Sequence, residues 1–124
     1  MGMKCRGVRG ATTATANTRE AILEATQELF REIVLANEFQ SDDVGAVFLT
    51  TTADLNAEFP AGALRQMGWN EMALFSGQEM QVPDGQALCI RALVLINTEK
   101  SQRELKHVYL RDAKDLRNRG GHQK

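Results

Sequence analysis

Cysteine, proline, histidine and the larger aromatics are scarce in this chain. Its 124 residues include two cysteines, two prolines, two histidines, one tryptophan and one tyrosine. Cys5 and Cys89 are far apart and match no metal-ligand spacing, so each is expected as a small buried thiol rather than half of a disulfide. His107 and His122 do not combine with serine or acidic motifs into a hydrolytic apparatus, and His107 alone reads as a packed or surface residue. Charge is nearly balanced: 15 Lys and Arg against 16 Asp and Glu leave a net −1. With no basic run beside aromatics, nucleic-acid binding and attachment to an acidic membrane have no electrostatic support. The start, Met1-Gly2-Met3-Lys4-Cys5-Arg6, is neither a signal peptide nor a myristoylation motif, and a cytoplasmic location is the expectation. There are no internal repeats, heptads or phosphate-cradling glycine loops, and Gly7-Val8-Arg9-Gly10 is not a dinucleotide fingerprint.

What is present is organised around Ala87–Thr98, apolar through Ile96 except for Arg91. It is too short to span a bilayer, and its Val, Ile and Leu content predicts a strand covered on both faces. Alternation places Leu88, Ile90, Ala92, Val94 and Ile96 on one face, with Ala87, Cys89, Arg91, Leu93 and Leu95 on the other. A guanidinium in such a strand keeps its proton and needs an anion. That anion is either a neighbouring carboxylate in a structural ion pair or a ligand.

The other elements follow in order. Lys4–Thr13 predicts a glycine-interrupted strand, with Cys5, Gly7, Arg9 and Ala11 on one face. Arg9 there is either a solvated arginine on an edge strand or a binding group with room beside it. Asn17 to about Asn37 predicts an amphipathic helix, with Asn17 as N-cap and Glu20 completing a capping box. Ile22, Leu23, Leu29, Phe30 and Ile33 lie on its apolar stripe. A polar connection, Asn37–Asp43, leads to a strand over Val44–Thr52. The loop Ala53–Phe59 follows, and then a short helix from Pro60 to about Met67, closed by Gly68 and carrying Arg65. Met72–Ser76 predicts a third strand, and the turn Val82-Pro83-Asp84-Gly85 returns the chain to the Arg91 strand. If those two strands pair, Glu79 comes close to Arg91. His107–Leu110 predicts a fifth strand, with Leu116 as its furthest extent. The whole is one α+β domain over residues 1–117, a five-stranded mixed sheet packed with helices, followed by a mobile tail over 118–124.

Several arginines with one glutamate and one tyrosine suit recognition of a small polyanion, because arginine holds carboxylates bidentately. Where bond-making needs no proton transfer, positioning and electrostatics can supply all of the catalysis.

At this point the order of short motifs carries a resemblance. Arg6-Gly7-Val8-Arg9-Gly10-Ala11-Thr12-Thr13, Phe59-Pro60-Ala61, Gln78-Glu79-Met80, Cys89-Ile90-Arg91 and Arg103–Leu110 together resemble the small monofunctional chorismate mutases. The resemblance runs from about Lys4 to Arg117. It implies a homotrimeric pseudo-α/β-barrel with active sites between subunits. It also implies the pericyclic conversion of chorismate to prephenate, on the route to Phe and Tyr, with no cofactor and no metal. By resemblance, Arg91 donates to the ether oxygen of chorismate and Arg9 binds a substrate carboxylate. Tyr109 contacts the same region, and Glu79 accepts from the ring hydroxyl. Phe59 is an aromatic wall supplied by the neighbouring subunit, Arg65 and Arg117 lie near the mouth, and Leu116 is an apolar contact on the terminal segment. Ser76 stands where some members have cysteine beside the substrate. Gly62 stands where a lysine can occur, one residue is missing before Gly68, and Asn118 replaces an expected proline. The alternatives are a trimeric small-carboxylate-binding protein and an enamine/imine deaminase of similar fold.

Overall fold

Helix formation and strand alternation account for most of the architecture seen in the computed structural model, which describes residues 2–116. The strands are β1 (Lys4–Thr13), β2 (Val44–Thr51), β3 (Ala73–Gln78), β4 (Cys89–Thr98) and β5 (Val108–Tyr109). The α-helices are α1 (Arg19–Asn37) and α2 (Ala61–Gln66), with short 3-10 turns at Ser41–Asp43, Gln102–Glu104 and Arg111–Asp115. The strands form one mixed sheet in the order β3-β2-β4-β1-β5. β4 is antiparallel to both β1 and β2, while β2–β3 and β1–β5 are parallel pairs. The α+β class and the five-stranded mixed sheet are as the sequence predicts. Among the described residues no helix is long and apolar enough to cross a membrane.

Helix α1 lies across one face of the sheet. Leu29, Phe30 and Ile33 are buried against Val8, Val47, Leu49, Val94 and Ile96. Gly10 permits this approach: a Cβ there would fall 2.8 Å from Ile33 Cδ1 and 3.2 Å from Leu29 Cδ1. Trp69, just beyond α2, is buried with its ring edge-on to Phe30 at 5.5 Å and near Phe39 at 6.3 Å, extending the core past the sheet's edge. Gly68 follows α2 at φ 89°, a conformation glycine adopts without strain.

Several boundaries differ from the sequence reading, each for a local reason. Thr18 rather than Asn17 caps α1, its Oγ1 accepting from Ala21 N–H. The Asn17 Oδ1 instead accepts from Asn56 and Ala57 N–H, both at 3.0 Å, pinning the loop before α2. β3 runs on through Gly77 and Gln78 because its main chain keeps pairing with Thr50 and Thr51. It does not pair with β4, since β2 lies between them. β5 ends at Tyr109, because Arg111 takes a left-handed φ of 53° and turns the chain into 3-10 geometry. β1 is not an edge strand, having β4 and β5 on its two sides. Cys5 is exposed rather than buried, while Cys89 is buried as expected. The expected tail, 118–124, lies outside the described residues, as does Arg117.

The largest departure concerns β4. Ile90, Ala92, Val94 and Ile96 are buried under the helices, but on the other face Arg91 is exposed and Leu93 and Leu95 are only half-buried. Phe48 and Phe75 meet on this open face with ring centroids 6.2 Å apart, and they are 39% and 68% exposed. The strand is therefore covered on one face only within the chain. Its second face presents a partly exposed apolar patch.

Asn37 ends α1 and ties it to the approach to β5. Its amide Nδ2 donates to Ile33 O and Lys106 O, and its Oδ1 accepts from Lys106 N–H at 2.7 Å. Asn37→Ala leaves the Lys106 N–H and C=O without these partners in a part-buried place. It is expected to lower unfolding free energy by about 2–3 kcal/mol, as read by urea denaturation.

Candidate active site

Register brings one transverse row of residues across all five strands. Gly77 is opposite Thr50, Thr50 opposite Arg91, Arg91 opposite Ala11, and Ala11 opposite Tyr109. Small neighbours on the open face thus leave the Arg91 guanidinium room at the centre of the sheet. The next row contains Phe75, Phe48, Leu93 and Arg9. Arg9 is diagonal to Arg91 across the antiparallel pair, a placement that puts Cβ atoms about 7–8 Å apart. Two guanidinium groups at this spacing can grip two separate anionic groups of one small molecule.

These residues line a depression of about 340 Å³ that contains Arg9, Phe48, Thr50, Glu79, Arg91 and Tyr109. An adjoining hollow of about 540 Å³ shares Glu79 and Arg91 and adds Thr52, Asp54, Cys89 and Leu116. Glu79 lies just past β3 and reaches Arg91 over Thr50, with Nη1 to Oε1 at 3.5 Å. The proximity that the sequence predicts is therefore present, although its strands do not pair. The ion pair is long and half-solvated, with the Arg91 side chain 51% exposed, and such pairs stabilise a fold little. Fold stability therefore does not explain why an arginine stands here.

The other expected residues fall into two groups. Tyr109 and Arg9 share the Arg91 depression, and Leu116 lines the adjoining hollow. Phe59 and Ser76 lie elsewhere, together in a third hollow of about 390 Å³ with Leu55, Pro60 and Gln78. Phe59 is 70% exposed. Arg65 is exposed in the last turn of α2 and lines none of these three hollows. The Gly62 side of α2 faces α1, where a Cβ would meet Leu23 Cδ2 at 3.3 Å.

Sequence reasoning missed the groups that hold these side chains. His107 Nδ1 accepts from Arg9 N–H at 2.9 Å, fixing the backbone under that arginine. Thr50 Oγ1 donates to Glu79 Oε2. The start of β4 is clamped by Thr52 and Asp54. Thr52 Oγ1 accepts from Cys89 N–H at 2.9 Å and donates to Asp54 Oδ1, while Asp54 Oδ2 accepts from Leu88 N–H at 2.9 Å. Thr52 and Asp54 open a polar loop after a strand, and that spacing is a signal for such a clamp. Cys89 lines the same hollow as Arg91, but burial pushes its thiol up to about 11, more than the adjacent Arg91 charge lowers it. At neutral pH it is a thiol and not an attacking thiolate.

The arrangement offers fixed guanidinium donors, one carboxylate acceptor and a phenol, with no activated nucleophile among the described residues. It can orient a small dianion and stabilise negative charge that develops on it. Comparisons with known proteins identify the family. The family model for chorismate mutase type I matches residues 5–119. The chain is 45% identical over 113 residues to chorismate mutase AroH of Thermus thermophilus, a span covering 90% of this chain and 93% of that protein. It is 40% identical over 116 residues to chorismate mutase AroH of Bacillus subtilis, covering 93% and 91%. The solved chorismate mutase of Clostridium thermocellum superposes with a TM-score of 0.86 at 42% identity, covering 87% of this chain and 96% of that one. By sequence and fold, the chain belongs to the type I chorismate mutase family.

Proposed function

We propose that this chorismate mutase converts chorismate to prephenate on the open face of its sheet, in sites completed by neighbouring copies of a homotrimer. Chorismate is a dicarboxylate with an ether bridge. As the C–O bond breaks and the C–C bond forms, negative charge gathers on the ether oxygen. Arg91 donates to that oxygen, and this interaction strengthens only as the bond breaks, so it raises kcat. Arg9 and Tyr109 hold a carboxylate, and Glu79 accepts from the ring hydroxyl. Leu116 supplies apolar contact, and Arg65, exposed on α2, attracts the dianion from the surface. No proton is transferred, so fixed donors and correct orientation suffice.

The observation that carries this reading is the Arg91 row, with Arg9, Glu79 and Tyr109 gathered on one open, largely apolar face. Assembly is supported by that face, which leaves Leu93, Leu95, Phe48 and Phe75 partly exposed, and by the placing of Phe59 and Ser76 in a separate hollow. Those two complete a site only when presented by another subunit. A cytoplasmic home accords with two unpaired thiols.

The test is the loss of chorismate absorbance with time. Rapid loss, with prephenate as the product, supports the reading. No loss from a folded, assembled protein overturns it.

A further inference from the structure

Glu79 is the acceptor in this site, and a glutamate carboxylate turns freely unless something holds it. Its main chain is fixed by the hydrogen bond from Glu79 N–H to Thr51 O at 2.8 Å. Among the described residues its side chain has two polar contacts: Oε1 faces Arg91 Nη1 at 3.5 Å, and Oε2 accepts the Thr50 hydroxyl. The Arg91 contact is at the outer limit of hydrogen bonding and half in solvent, so it does little to orient the carboxylate. The Thr50 hydroxyl donates directly to the other oxygen. Thr50 is also a rigid mount: it is β-branched and stiff at χ1, on a strand paired to β3 on one side and β4 on the other. Its place in the row sets its hydroxyl between Gly77 and Arg91, facing the side chain that folds back from the end of β3.

We propose that Thr50 is a positioning residue for the reaction, holding Glu79 so that Oε1 presents its free lone pair to the substrate hydroxyl beside Arg91. The assignment rests on the role proposed above for Glu79. The hydroxyl, rather than the size of the side chain, does this: threonine and serine can donate to Oε2, and valine fills the same space but cannot. Without the donor the carboxylate swings toward Arg91 or toward solvent, and each swing misplaces the acceptor relative to the breaking bond.

The experiment compares Thr50→Val, Thr50→Ser, Glu79→Gln and the Thr50→Val/Glu79→Gln pair, all verified as folded by circular dichroism and thermal melting. Thr50→Val is expected to lower kcat/KM by roughly 10- to 100-fold, and Thr50→Ser to stay within a few-fold of wild type. In the Glu79→Gln background the added effect of Thr50→Val should vanish, because Thr50 acts only through Glu79. Near-normal turnover by Thr50→Val beside an impaired Glu79→Gln overturns the Thr50 assignment alone. So does a Thr50→Ser as impaired as Thr50→Val, or a Thr50→Val loss undiminished by Glu79→Gln. A fully active Glu79→Gln enzyme overturns the role of Glu79 and the role of Thr50 together.

Discussion

Arg91→Ala is expected to lower kcat by a factor on the order of 10²–10³ or more, with little change in melting temperature. The argument combines position and chemistry. Arg91 is at the centre of the sheet with Thr50 and Ala11 beside it, so no bulky neighbour replaces its donors when it is removed. Its contact with Glu79 is 3.5 Å long and half-solvated, so losing the pair costs the fold about 0–1 kcal/mol. The effect on turnover is larger because the charge on the ether oxygen exists only near the transition state. Arg91→Lys keeps the charge but loses the planar fork and part of the reach, and it should recover only a small share of the loss. Steady-state kinetics on chorismate, with melting curves alongside, check both halves. Near-normal turnover by Arg91→Ala would sink the mechanism.

Leu95→Asp is expected to abolish assembly and, with it, activity. Leu95 is on the open face of β4, opposite Gly7 and Ala46, and a Cβ on Gly7 would touch it at 3.7 Å. It is four residues along the strand from Arg91, roughly 13 Å away, so a carboxylate there leaves the donor row intact. In the single chain Leu95 is half-exposed, and Asp can keep its charge hydrated. In a contact between subunits that charge would be stripped of water with no partner, at a cost of several kcal/mol per site. Sedimentation should show a folded monomer, with turnover reduced at least about 100-fold at micromolar concentration. A monomer that turns over chorismate at the wild-type rate would contradict the placing of the site between subunits.

Strong periodicity made parts of the fold legible in sequence. The apolar stripe of α1 and the alternation of β4 follow directly from which side chains meet the core, and the faces predicted for Cys5, Gly7, Arg9 and Ala11 match the register of β1. Polar or glycine-containing ends were less legible. β3 continues through Gly77 and Gln78 because main-chain pairing, which side-chain pattern does not record, holds them. The turn at Arg111 depends on tertiary contacts: its Nε donates to Glu28 Oε1 at 2.9 Å and its Nη1 to Thr13 O at 3.1 Å. Alternation does not reveal such contacts. Within the site, Arg91 was conspicuous as the one charge in an apolar strand, and Arg9 as the arginine among glycines. Glu79 was legible only as a neighbour across a turn, and the topology brings it to Arg91 by another route, over β2. Thr50 carried no signal, since a threonine near a strand end is ordinary. For β4, the described residues of this chain cover only one of the two apolar faces, because an apolar run does not say whether its second cover comes from the same chain.

The separation of Arg91 from Phe59 on a single chain makes the enzyme a candidate for complementation in trans. A site formed by Arg91 of one subunit and Phe59 of the next is damaged by either lesion, so Arg91→Ala and a Phe59→Asp variant should each be weak alone. Refolded together in equal amounts and randomly assorted, they place an intact Arg91 beside an intact Phe59 in about a quarter of all sites, with the other sites carrying at least one lesion. Activity in the mixture should thus rise well above that of either parent, toward roughly a quarter of wild type. A mixture no better than the mean of its parents would mean that each chain completes its own site, despite the distance between the two hollows.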